Sequence, residues 1–157
     1  MFFALDGWDG DTTPCVWLVR PDLLNERSIS WRGVITPEQN PQLNIWLPRS
    51  IKNGRQRINS ENYWYDNGLP VAIYPRRQNA RVIAQQGTFT VHGTERRGLD
   101  DWVLSFEHPH QVLHRVDLEG IDGDVVTAQL RALGVKRHFI YPDIDNYVKH
   151  LRQVFGW

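Results

Sequence analysis

Apolar and polar positions alternate in recognisable periods over Pro14 to Asn25 and again from Leu69 to Phe155, and the pattern is poor in between. Phe2 to Leu5 is a short apolar stub, and Asp6-Gly7-Trp8-Asp9-Gly10-Asp11 has the composition of a turn. Pro14 to Val19 predicts a buried strand closed by Arg20-Pro21, and Asp22 to Asn25 a short turn of helix. From Glu26 to Gly68 only Leu43 to Leu47 suggests a strand. Regularity returns at Leu69 to Pro75, an apolar strand stopped by proline. Glu95 to Pro109 reads as a polar connection, and Val112, His114, Val116 and Leu118 share one strand face at period two. Asp122 or Asp124 caps the next helix, Val126, Leu130 and Leu133 form its stripe, and Gly134 suits the position past its end. Arg137 to Tyr141 predicts a strand ended by Pro142. Asp143 or Asp145 then caps a final helix whose Ile144, Tyr147, Val148, Leu151 and Phe155 lie on one face. The expected fold is α+β: one domain over residues 1–157, with a mixed sheet flanked by short helices and an ending of strand, helix, strand, helix.

The segment from Arg81 to Gly93 concentrates polar chemistry at a helix-to-strand junction. Arg81 to Ala84 suit a short helix, Gly87 a turn with unusual backbone angles, and Thr88 to Val91 a strand. Sites are often built at such junctions.

Composition narrows the class. With 157 residues, 41% of them hydrophobic, one core in one domain is expected. No apolar run approaches the roughly 20 residues that span a bilayer, so no membrane partner is expected and the expected location is cytoplasmic. The single cysteine, Cys15, reads as a buried structural thiol.

Charge is balanced overall and uneven locally. Residues 1–48 carry net −3, residues 49–81 net +5 and residues 82–157 net −2. Arg49, Lys52, Arg55, Arg57, Arg76, Arg77 and Arg81 form this basic island, which is suited to the phosphates of a nucleotide or a nucleic acid. The competing reading makes Arg49 to Arg57 a solvated loop.

Other signatures are weak or absent. The aspartates of residues 6–11 do not match a calcium loop. His108, His110 and His114 are spaced to present three imidazoles, but Pro109 interrupts the strand and His114 lies on its apolar face, which favours a hydrogen-bonded core histidine over a metal ligand. No metal site is expected, and His138 and His150 carry no signal. There is no Gly-rich phosphate loop and no Gly-x-Ser-x-Gly elbow. The tryptophans, Trp31, Trp46, Trp64 and Trp102 among them, suit core packing better than stacking on bases or a nicotinamide ring.

A family resemblance runs through nearly the whole chain. It is carried by Phe2-Phe3-Ala4, by Val16 to Asn25, by Ile73-Tyr74-Pro75, and by Arg81-x-x-x-Gln85-x-Gly87-x-Phe89-Thr90. It continues in Leu130-x-x-Leu133-Gly134 and in Phe139-Ile140-Tyr141-Pro142-Asp143-Ile144-Asp145. In this order the segments resemble the FRG domain. The aromatic-Arg-Gly motif that names the family, and a His-Tyr-Gly-Leu-Pro-Thr-Arg-like segment after it, belong before the place that Phe2-Phe3-Ala4 takes. Trp31-Arg32-Gly33 spells the triplet but falls in a variable loop after Asn25. The resemblance is thus to the C-terminal part of an FRG domain, through a natural truncation, a split gene or a misplaced start codon, and a protein partner supplying the N-terminal half is among the expected partners.

The resemblance implies a layout similar to ADP-ribosyltransferase-like folds, which occur in toxins and phage-defence proteins, with NAD as substrate. It places Gln85 where such enzymes hold the nicotinamide ribose and makes it the catalytic candidate. Arg76, Arg77, Arg81 and Gln86 are the candidates for substrate binding. A glutamine can hydrogen-bond a ribose hydroxyl but cannot stabilise an oxocarbenium ion by charge. Two alternatives stay open: an inactive remnant, or a nucleic-acid-binding or protein-interaction module without catalysis. A structural alternative also remains for Arg81 and Gln85, which lie four residues apart on one helical face and can satisfy buried carbonyls.

Overall fold

A computed structural model describes residues 1–37 and 40–156, and the chain is α+β. Its elements are α1 (Phe2–Leu5), β1 (Cys15–Val19), α2 (Pro21–Ile29), a 3-10 helix (Pro41–Trp46), α3 (Pro48–Lys52), β2 (Arg57–Ser60), β3 (Tyr63–Asp66) and β4 (Val71–Ile73). There follow α4 (Ala80–Ala84), β5 (Phe89–Val91), α5 (Leu99–Val103), α6 (Pro109–Val112), β6 (Leu113–Asp117), α7 (Gly123–Ala132), α8 (Arg137–Ile140) and α9 (Ile144–Phe155). The strands form three two-stranded sheets, β1 with β6, β2 with β3 and β4 with β5, instead of one mixed sheet. Among the described residues a parallel bridge joins Ile35 and Ile73.

The chain falls into two compact units: residues 1–16, 77–87 and 115–157 make the first, and residues 17–76 and 88–114 the second. The second unit holds two apolar clusters. One gathers Leu24, Ala72, Trp102, Val103, Val112 and Leu113, and the other Ile29, Ile35, Ile45, Trp46, Tyr65 and Val71. Pro21 opens α2, which buries Leu24, Asn25, Ser28 and Ile29 at helical spacing and ends at Ser30 in the left-handed region. Asn25 acts as a surrogate backbone: its amide donates to Gly33 O at 2.6 Å and Ala72 O at 2.9 Å, and its Oδ1 accepts from Ala72 N at 2.7 Å. Asn67 does the same for the 3-10 helix, donating to Ile45 O at 2.9 Å and accepting from Gln56 N at 2.6 Å. Buried amides so satisfied add specificity where the strands are too short to pair every backbone group.

The first unit is built differently. Of its described residues, only Pro14 and His138 are buried, so no cluster of large apolar side chains forms a core there. In it α1 packs on α7, α4 on α8 and α8 on α9. Asp122 caps α7 by accepting from Asp124 N and Val125 N, Asp143 caps α9 by accepting from Asn146 N, and Gly134 takes a positive φ of 85° after α7.

Several expectations are corrected. Arg137 to Ile140 is a helix, because Phe139 N and Ile140 N both bond back to Lys136 O, so the chain ends strand, helix, helix, helix. Leu43 to Leu47 lies in and just after the 3-10 helix; that stretch buries only Ile45 and Trp46, adjacent positions that strand alternation would separate. The irregular stretch also holds the β2–β3 hairpin, in register Ile58 to Tyr65. Residues 95–109 contain α5, whose Trp102 and Val103 are core residues. His114 is exposed, because burial falls on Val112 and Leu113 at the end of α6 and start of β6. Cys15 is a free, half-buried thiol, and Trp64 is exposed while Trp46 and Trp102 are buried.

Candidate functional site

The Arg81 to Gly87 part of the junction lies in the first unit. Asn79 starts α4 with its side chain accepting from Arg81 N at 2.8 Å. At the other end Gln86 N bonds to Ile83 O at 3.1 Å and Gly87 N to Val82 O at 3.0 Å, the Schellman pattern for ending a helix. The left-handed residue of that turn is Gln86, with φ 49°, and not Gly87. The glycine expected to supply the unusual backbone angle is one position too late.

The geometry brings Arg81 and Gln85 together against α8. The Gln85 side-chain amide donates to Ile140 O at 3.1 Å, and the Arg81 guanidinium carbon lies 4.8 Å from the centre of the Tyr141 ring. Tyr141 is a hub: Arg137 stacks on it at 5.1 Å, and Phe2 and Phe3 contact it at 6.2 and 6.1 Å between ring centres. Its hydroxyl donates to Asp6 Oδ2 at 3.0 Å, and Arg137 Nη1 bonds Asp6 Oδ1. Burial and the hydrogen bond and charge of Asp6 raise the Tyr141 phenol above its ordinary range, with Arg81 and Arg137 pulling the other way. The sequence showed Asp6 only as part of a turn. Its pairing with residues more than 130 positions away had no local signal.

The other candidates are not part of this cluster. Gln86 is exposed at the turn, Arg77 is exposed in the turn before α4, and Arg76 belongs to the second unit. The basic island does not act as a free patch throughout. Arg55 makes a bidentate pair with Asp66, at 2.9 and 2.6 Å, and Arg57 reaches the same carboxylate at 3.1 Å. Burial pushes the Asp66 carboxyl up, but Arg55, the Gly68 N–H and the charges of Arg55 and Arg57 hold it below its ordinary value.

The second unit has its own cleft of about 290 Å³, lined by Val19, Pro21, Tyr74, Phe89, Thr90 and Leu99 among others and mainly apolar. Among the described residues no three His, Cys, Asp or Glu side chains gather as metal ligands; His110 and His114 stand edge to face, 6.5 Å apart. No described helix is long and apolar enough to cross a membrane.

Compared with protein-family models, with curated proteins and with solved structures, the chain matches none.

Proposed function

We propose that this chain is the C-terminal part of an FRG-like domain, related to ADP-ribosyltransferase-like folds, and that it works as half of a larger unit. The observation that carries the reading is the outer face of α9. Ile144, Tyr147 and Val148 are exposed on it, Ile144 by 78%, while Pro14 and His138 are the buried residues among those described in the first unit. An amphipathic helix with its apolar stripe in water is unusual in a self-sufficient fold, and such a stripe marks an interaction surface. The occupant is the N-terminal half that carries the aromatic-Arg-Gly segment, from the same chain or from a partner protein. NAD is the substrate of the completed domain.

Two engagements support this division of labour. The Gln85 amide nitrogen is occupied by Ile140 O, and the Asp6 carboxylate by Arg137 and Tyr141. The half present here therefore offers structural ties where a glycosyl-transfer site needs a group free to stabilise positive charge.

Sedimentation velocity and binding of a hydrophobic dye check the reading. The chain alone is expected to self-associate and bind dye, and Ile144→Lys combined with Val148→Lys to do neither. A monodisperse, cooperatively melting chain that binds no dye overturns it. In parallel, incubation with labelled NAD is expected to transfer no label; transfer by the chain alone, lost in Gln85→Ala, would show a self-sufficient enzyme.

A further inference from the structure

The face of α9 opposite the apolar stripe carries Asn146, Lys149, His150 and Gln153, which recur at helical spacing. With Arg131 of α7 and the Lys136-Arg137-His138 segment at the start of α8, they line a cleft of about 270 Å³ within the first unit. None of its lining residues is acidic. Arg137 is engaged with Asp6 and Asn146, but no acidic side chain pairs with Arg131, Lys136 or Lys149 within 4 Å among the described residues. The carboxylate whose charge is coupled to Lys149 is Asp143, which already caps α9 and accepts from the Asn146 side chain at 2.9 and 2.7 Å.

Two imidazoles stand in this cationic wall. His138 and His150 stack with ring centres 3.9 Å apart and planes within 22°, and Phe139 and Tyr147 close on His138 at 4.3 and 6.0 Å. His138 is only 9% exposed, and no protein group among the described residues hydrogen-bonds either ring. Arg131 and Lys149 are exposed and Lys136 and His150 half-buried, so three cations without an acidic partner and two imidazoles without a protein hydrogen-bond partner converge on one concave surface that a dissolved anion can reach. The arrangement suits an oxyanion with several acceptor oxygens, for which Arg and Lys supply charge and imidazole N–H groups supply directed bonds.

We propose that this cleft binds the phosphate groups of a small phosphorylated ligand, of about the size of a diphosphate. Arg131, Lys136 and Lys149 provide the charge, and His138 and His150 the directed donors. The cleft residues of α9 lie across the helix from Ile144 and Val148, and Tyr147, which contacts His138, is unchanged in both sets of variants, so either reading can fail without the other.

The test is an NMR and calorimetric titration of the full chain with inorganic pyrophosphate at constant ionic strength. Binding is expected to shift the His138 and His150 ring resonances together with α8 and α9 amides. Lys136→Gln combined with Lys149→Gln is expected to weaken it roughly tenfold or more, as loss of charge-assisted hydrogen bonds does. Arg152→Gln removes a cation of the same helix that does not line the cleft, and is expected to change affinity less than about twofold. Equal loss in both variants, or no shift of the two histidines, overturns the proposal. A single-stranded oligonucleotide serves as the other source of phosphate. If it binds through these residues with a steep salt dependence while pyrophosphate does not bind, the small-ligand proposal is wrong. Should the double variant not fold, the wild-type shift map decides alone: perturbation spread over all basic surfaces rejects a site.

Discussion

Gln86 shows how a single backbone angle separates composition from conformation. The residue sits at φ 49° at the end of α4, a region in which a side chain costs about 1 kcal/mol relative to glycine. Gln86→Gly is therefore expected to raise stability by about 1 kcal/mol in thermal or denaturant melts. A loss of stability instead would show that the Gln86 side chain holds something its exposure does not suggest. Gly93, at the far end of the motif, has a different reason to be glycine: a Cβ there would collide with the backbone oxygen of Asn67. Gln85 illustrates a third case, in which a residue suited to catalysis by type ties α4 to α8 by geometry.

At the scale of elements, α8 decides much of the first unit. It is four residues long, too short to be stable alone, and is held by α4 on one side and α9 on the other. Burial, and the charges of His150 and Lys136, hold the His138 imidazole below its ordinary pKa. A histidine whose pKa is depressed by folding binds fewer protons in the native state than in the unfolded one. Its contribution is fully present above the ordinary imidazole range and is lost as pH falls through it. The α8–α9 pair is thus expected to loosen on acidification from pH 7 to about 5, followed by hydrogen exchange of α9 amides. His138→Gln, which cannot gain this charge, is expected to flatten that response. An unchanged response would place its origin elsewhere.

Across the whole molecule, apolar burial is concentrated in one unit. Among the described residues, the twelve buried hydrophobic ones all fall in residues 17–76 and 88–114. Native-state hydrogen exchange is expected to be slowest at Val71 and Ala72 and clearly faster in α7 and α9, which bury no residue. Uniform protection across both units would contradict this.

The α+β class, the strands around Val16 and Val71, the helix–strand junction at Gln85, and each cap to within a pair of aspartates were legible in the sequence, whereas the burial expected of the first strand was not met, since Trp17 and Leu18 are exposed, and the structure chose Asp122 and Asp143. Each depends on spacing or backbone preference within a few residues, and such preferences act locally. The same local logic missed α8 and α5, because Arg137-His-Phe-Ile and Leu99-Asp-Asp-Trp-Val have no period long enough to separate helix from strand. What only the tertiary structure decided is which groups meet: Asp6 with Arg137 and Tyr141, Gln85 with Ile140, His138 against His150, and the α9 stripe left in water. Those outcomes depend on contacts between segments far apart in the chain, where no local preference of φ, ψ or hydrophobic period carries information.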